Sequence, residues 1–148
     1  MINLSAPDLT QHAPRSPRVR LGGYVHLPRL LDKARAFIAG KNAGYHYNCP
    51  LDKHFFGFTG IDADAMLAAI KSGKSDTEML AWVRANTKRQ PSEIAAWSTW
   101  LSAHGAGGVD GHAWFSETIK AAGPARDDVQ TFFDLLDLDD YVSYGGKS

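Results

Sequence analysis

The chain is 148 residues long and carries no net charge at neutral pH, with 44% of its residues apolar and 22% charged. That length suits one domain, which buries roughly 68 to 70 per cent of the surface its unfolded form exposes, and neutrality removes any general electrostatic drive towards nucleic acid or an anionic membrane. Cys49 is the only cysteine, so no intrachain disulfide can form; the first twenty residues hold no apolar signal core and no segment approaches a membrane span, so a cytoplasmic setting is expected.

Residues 1–17 are polar, carry Pro7, Pro14 and Pro17 and show no period, which predicts an extended arm lying on the surface or against a neighbour. Leu27, Leu30, Leu31, Ala34, Phe37 and Ile38 then recur at helical spacing, with Arg29, Asp32, Lys33 and Ala36 on the opposite side and Gly40 as the stop. A short hairpin is allowed around Leu21 to Val25 or Tyr45 to Asn48. From Lys41 to Gly60 the period disappears, and only a short helical turn over Leu51–Phe58 is expected, after Pro50.

Asp62 is placed to cap a helix bearing Met66, Leu67 and Ile70 that Gly73 ends, and Ser75 with Glu78 forms a capping box for the next, which carries Met79, Leu80, Trp82 and Val83. Pro91 opens a helix with Ile94, Trp97 and Leu101 on one stripe. A glycine-rich loop over His104–Gly111, expected to be mobile, leads to a helix capped by Asp110 or a neighbour, bearing Trp114, Phe115 and Ile119 and ended by Gly123 and Pro124. Val129, Phe132, Phe133 and Leu136 form the last stripe, followed by a loose polar tail from Asp139. The four tryptophans, Trp82, Trp97, Trp100 and Trp114, are expected to pack the core.

With no sustained period-two alternation, these elements predict an all-α fold: a single domain of about six short helices in an irregular orthogonal bundle, spanning 18–140 between the arm (1–17) and a polar tail (141–148).

Chemistry-bearing residues concentrate between Arg15 and Asp62, which hold His26, His46, His54, Cys49 and three tyrosines. His46, Cys49, Asp52 and His54 offer the ligand types zinc accepts, but without the paired spacings of a strong zinc signal. Cys49 ahead of Pro50 at a helix start would place its sulfur near a positive dipole end, with His46 as the base for a nucleophilic thiol. Arg15, Arg18, Arg20, Arg29 and Arg35, interleaved with Tyr24, Tyr45 and Tyr47, could hold a phosphate or carboxylate; Arg18, Tyr24, Arg29, Tyr47 and Asn48 are the expected contacts.

No phosphate-loop or dinucleotide fingerprint is present, and the DLLDLDD run has Val142 where a calcium loop needs glycine. The bases between Arg15 and Lys41 and the aspartates Asp127, Asp128, Asp134, Asp137, Asp139 and Asp140 form two poles, which can neutralise each other within one molecule or pair two copies in a homodimer.

The blocks DLT, PRSPRVRLGGYVHLPRLLDKARA, YHYNCPLD, FFGFTGID and FFDLLDLDD, from about Asp8 to Asp140, resemble the bacterial family known as domain of unknown function 5069, the LGGY, LPRLLDKARA and FTGID blocks being the most specific. The resemblance implies a cytoplasmic single domain with no established reaction or cofactor, and a cysteine block that not every member keeps. Three readings follow: a non-catalytic module for a small anionic ligand or a protein partner, an enzyme of hydrolase or transferase type around His46, Cys49 and His54, and a homo-oligomeric structural protein.

Overall fold

A two-residue turn sets the entry to the helical body. Gly22 and Gly23 both take positive φ, 59° and 85°, which the tight hairpin between β1 (Arg20–Leu21) and β2 (Tyr24–Val25) requires; the strands pair antiparallel, Arg20 with Val25 and Leu21 with Tyr24. This is the first of the two hairpin positions the sequence allowed. The computed structural model describes residues 2–105 and 109–148 of the chain. Of the glycine-rich loop anticipated over His104–Gly111, residues 106–108 lie outside the described residues, and so does the position before the helix Val109–Ala122 where its cap would stand; Asp110 itself falls inside that helix.

Seven helices follow among the described residues: α1 (Leu27–Ile38), α2 (Pro50–Thr59), α3 (Ala63–Lys71), α4 (Asp76–Asn86), α5 (Pro91–Ser102), α6 (Val109–Ala122) and α7 (Phe132–Ser143). The fold is an all-α single domain with one small hairpin. Local chemistry explains most boundaries. Asp62 accepts from the Ala65 amide at 2.9 Å, Ser75 and Glu78 close a reciprocal box, and Pro28, Pro50 and Pro91 occupy first-turn positions where a missing N–H costs nothing. Gly40 and Gly60 take the left-handed conformation that ends α1 and α2.

The main core gathers Tyr24, Leu27, Leu30, Leu31, Phe55, Met66, Met79, Leu101 and Phe133; a smaller cluster of Phe115, Ala122, Val129, Leu135 and Leu138 joins α6 to α7. Several expectations are corrected. The short helical stretch expected over Leu51–Phe58 is present and reaches one residue further at each end as the 10-residue α2, because Pro50 and the Cys49/Asp52 pair start it and Gly60 supplies a clean stop. α7 runs on through Ser143, past the loose tail expected from Asp139, because Thr131 and Asp134 cap its start and Asp140 is drawn inward by an arginine. Residues 1–17 are no mere surface arm: Leu9 is fully buried, and Pro7, Pro14 and Pro17 are buried with it.

The largest correction concerns α1. Phe37 and Ile38, assigned to its inner stripe, are 49% and 38% exposed, whereas Arg29, Asp32, Lys33 and Ala36, assigned to solvent, are buried. The helix is covered on its charged side as well, by the N-terminal segment, by α7 and by the start of α2, each bringing counter-charges. Trp97 packs the core and Trp82 lies partly buried against it, but Trp100 and Trp114 are each 48% exposed. Both pack at a tilt against neighbouring rings, Trp100 on His104 and Trp114 on Phe132.

Candidate functional site

Four of the five arginines of the N-terminal third, all but the exposed Arg20, point at aspartates. Arg15 reaches Asp32 through Nε at 3.0 Å and Asp76 through a terminal nitrogen at 2.7 Å, and Arg35 binds the same Asp76 at 2.8 Å. Arg18 is held by Asp134 and Asp137. Arg29, 2% exposed, donates to Asp140 at 2.7 Å and to the Arg15 carbonyl at 3.2 Å, with its guanidinium 5.5 Å from the centre of the Tyr45 ring. The basic and acidic poles therefore meet inside one molecule.

Of the other residues expected at an anion site, Tyr24 is fully buried among Phe55, Phe58 and Trp97, Tyr47 donates its hydroxyl to the Ala63 carbonyl at 2.7 Å, and Asn48 takes a left-handed φ of 62° with its amide on Asp52. Burial pushes the Tyr24 and Tyr47 hydroxyls above their ordinary range, so both stay neutral. These residues do not converge with Arg18 and Arg29 on one pocket; each serves the packing around it.

A second polar centre sits where α1 meets the start of α2. Pro50 begins the helix, Cys49 is its N-cap residue, and Asp52 occupies the third position, where its carboxylate reaches back to the amides of Asn48 at 2.9 Å and Cys49 at 3.4 Å. The Cys49 sulfur lies in the capping position over the first turn without making a cap hydrogen bond. From α1, Lys33 extends its ammonium into this turn and donates to both Asp52 oxygens at 2.8 and 2.9 Å, to the His46 carbonyl at 3.0 Å and to Cys49 Sγ at 3.1 Å. His26, which precedes α1 with φ 68°, completes the group: its Nε2–H donates to Asp52 Oδ1 at 2.7 Å, the ionised carboxylate being able only to accept.

The burial of these four residues is graded. Asp52 is 0%, His26 1% and Lys33 3% exposed, while Cys49 is half-buried, so Cys49 is the residue of the group nearest solvent. Burial alone would raise the Asp52 carboxyl; the hydrogen bond from His26 and the charge of Lys33 outweigh it and hold it down at about 2. Burial pushes His26 downward against the pull of Asp52, and with Lys33 already neutralising that carboxylate the imidazole is neutral. One nitrogen of the ring is thus spent on Asp52; Nδ1, also buried, has no protein partner among the described residues.

Among the described residues, the cluster of metal-ligating types is His26, Cys49 and Asp52, whose donor atoms lie within 4.8 Å of one another. The set His46, Cys49 and His54 named from the sequence is not brought together. His46 contributes its carbonyl, its ring being exposed, and His54 packs against Trp100 and His104 with ring centres 5.2 and 5.1 Å away. The Lys33 ammonium already supplies a cation between Cys49 and Asp52, at hydrogen-bond distances rather than the 2.0–2.3 Å of metal bonds, so those two do not fit a metal ion unless the lysine is displaced.

His26 and Lys33 were missed as site residues by sequence reasoning. Lys33 falls on the polar side of an amphipathic stripe, and nothing local marks that side as covered. The C-x-x-D spacing at a proline-initiated helix start was the available signal for Asp52, since it is the N-cap and third position of a box.

Fold and site together define a small helical domain whose central helix is enclosed by ion pairs, with one cysteine at the outer edge of a buried Lys–Asp–His group. The chain belongs to the DUF5069 family, a domain of unknown function, whose family model matches residues 11–142. No curated protein matches the chain. No described helix is long and apolar enough to cross a membrane.

Proposed function

We propose that Cys49 is a nucleophilic thiol and that the chain is an enzyme of hydrolase or transferase type acting on a small electrophile. The observation that carries this reading is the Lys33 ammonium, buried and immobilised, donating to Cys49 Sγ at 3.1 Å in a residue that is itself only half-buried. The Lys33 ammonium and the N-terminus of α2 both face the sulfur, a setting in which cysteines act as nucleophiles. Cys49 is the group that would bond the substrate. Lys33 is a positioning residue that orients the sulfur and compensates charge. Asp52 and His26 fix Lys33, and Asp52 also moderates it, because its carboxylate shares the same ammonium.

The alternative module for a small anion, with Arg18, Tyr24, Arg29, Tyr47 and Asn48 as contacts, has less support because aspartates already engage both guanidinium groups. Likewise, charge poles that meet within the molecule give a homodimer less to pair with.

The test is the rate of Cys49 alkylation by iodoacetamide at neutral pH. In the folded protein it is expected to exceed that of the urea-unfolded chain by on the order of tenfold, and to drop in Lys33→Met. A folded-state rate no faster than the unfolded one overturns the reading.

A further inference from the structure

We propose that oxidation joins Cys49 to Lys33 through a direct sulfur–nitrogen bond, a reversible modification that closes the thiol site. The inference rests on the reading of Cys49 as an activated thiol and adds its regulation. An oxidised cysteine is ordinarily resolved by a second thiol, and this chain has none. What stands against the sulfur instead is an amine: Lys33 Nζ is 3.1 Å from Sγ, and its contacts to Asp52 and the His46 carbonyl prevent it from swinging away. The lysine is only 3% exposed, so once the sulfur is oxidised an amine is held against it. The half-buried Cys49 is the residue a small hydroperoxide would oxidise.

The chemistry closes with a hydroperoxide as the only co-reactant. The Cys49 sulfur attacks the distal oxygen, the O–O bond breaks, sulfur gains a hydroxyl and is oxidised by two electrons, and the other oxygen leaves as alcohol or water with the thiol proton. The resulting sulfenic acid meets the Lys33 ammonium. One ammonium proton passes to the sulfenic hydroxyl, which departs as water while the nitrogen lone pair forms the S–N bond; the protonated link then releases one proton to solvent. Sulfenic acids condense with nitrogen nucleophiles in this way when one is held against them. Reversal needs two equivalents of a small thiol: the first opens the S–N bond to a mixed disulfide and frees the amine, and the second restores Cys49. The cross-link removes both the nucleophile and the cation that faces it, and leaves Asp52 to His26 and the Asn48 and Cys49 amides.

The experiment exposes the full chain to a few equivalents of hydrogen peroxide, quenches it and maps its peptides without reductant. The expected product is about two mass units lighter than the reduced protein, with the Lys33 peptide joined to the Cys49 peptide and both recovered after dithiothreitol. Products about 16 or 32 units heavier with no joined peptide overturn the proposal, as does a joined peptide about 14 units heavier, which would place oxygen between sulfur and nitrogen. Lys33→Arg keeps the charge without the primary amine and is expected to give only the heavier acids; should it fail to fold, the wild-type peptide map decides alone. The two readings fail separately. Fast alkylation without a cross-link overturns the cross-link only, a cross-link with slow alkylation overturns the enzyme reading only, and an inert Cys49 overturns both.

Discussion

Arg29 and Asp140 lie 111 positions apart and form an ion pair in which the guanidinium is 2% exposed, with the Tyr45 hydroxyl closing the other carboxylate oxygen at 2.7 Å. A buried pair of this kind adds modest net stability, since desolvation offsets much of the attraction, but removing one member strands the other. Asp140→Ala is therefore expected to cost about 3–5 kcal/mol in urea unfolding, with Arg29→Met/Asp140→Leu recovering much of it. A single replacement costing less than about 1 kcal/mol would show that water reaches Arg29.

The hairpin turn makes a second, independent demand. At Gly22 the backbone has φ 59°, and an added Cβ would overlap Leu80 Cδ1. The leucine end can rotate away, whereas the backbone angle cannot change without unpairing Arg20 from Val25. Gly22→Ala is thus expected to lower stability by about 1–2 kcal/mol, with Leu80→Ala in the same chain relieving only a minor part. Thermal melting of Gly22→Ala, Leu80→Ala and the double variant separates the backbone cost from the overlap.

Acid stability follows from the groups held below their ordinary values. His26 is pushed down by burial, as is His54 by burial and then by the nearby His104, so the unfolded chain binds more protons than the folded one once pH falls below about 6.5. Asp52, held at about 2 against 3.8, extends the loss from about pH 4 towards pH 2 and accounts for about 2 kcal/mol of it. Stability is accordingly full above the unfolded values and declines on acidification. Urea midpoints at pH 7, 5 and 3 are expected to fall in that order, and a protein more stable at pH 3 than at pH 6 would contradict the assignment.

What the sequence discloses and what it hides divide along the length scale of the interactions. α3, α4 and α5 are legible because Asp62, the Ser75/Glu78 box and Pro91 act within one helical turn. The Gly22–Gly23 turn is legible for the same reason. The charged side of α1 is not: periodicity identifies an apolar stripe but cannot say whether the remaining face meets water, and here it meets Asp76, Asp140 and Asp52 from distant parts of the chain. The same limit hid the site. Cys49 and Asp52 stand in the sequence as two of the four metal-ligand types His46, Cys49, Asp52 and His54, while Lys33 and His26 join them only through the tertiary fold. Trp100 and Trp114 mislead in the opposite direction, because a stripe of rings at helical spacing does not say which of them lies at its edge.

The enclosure of α1 also bears on how the protein comes apart. Its neighbours are contributed by Arg15 on one side of it in the chain and by Asp140 far on the other, and the Tyr144 hydroxyl reaches the Leu9 carbonyl. The N-terminal segment, the start of α2, the first turn of α4 and the C-terminal half of α7 each carry a partner of a charge on α1, so none of them leaves without stranding it. Partial opening is therefore costly for the middle of the molecule, and loss of structure there is a single cooperative event rather than a progression of frayed intermediates.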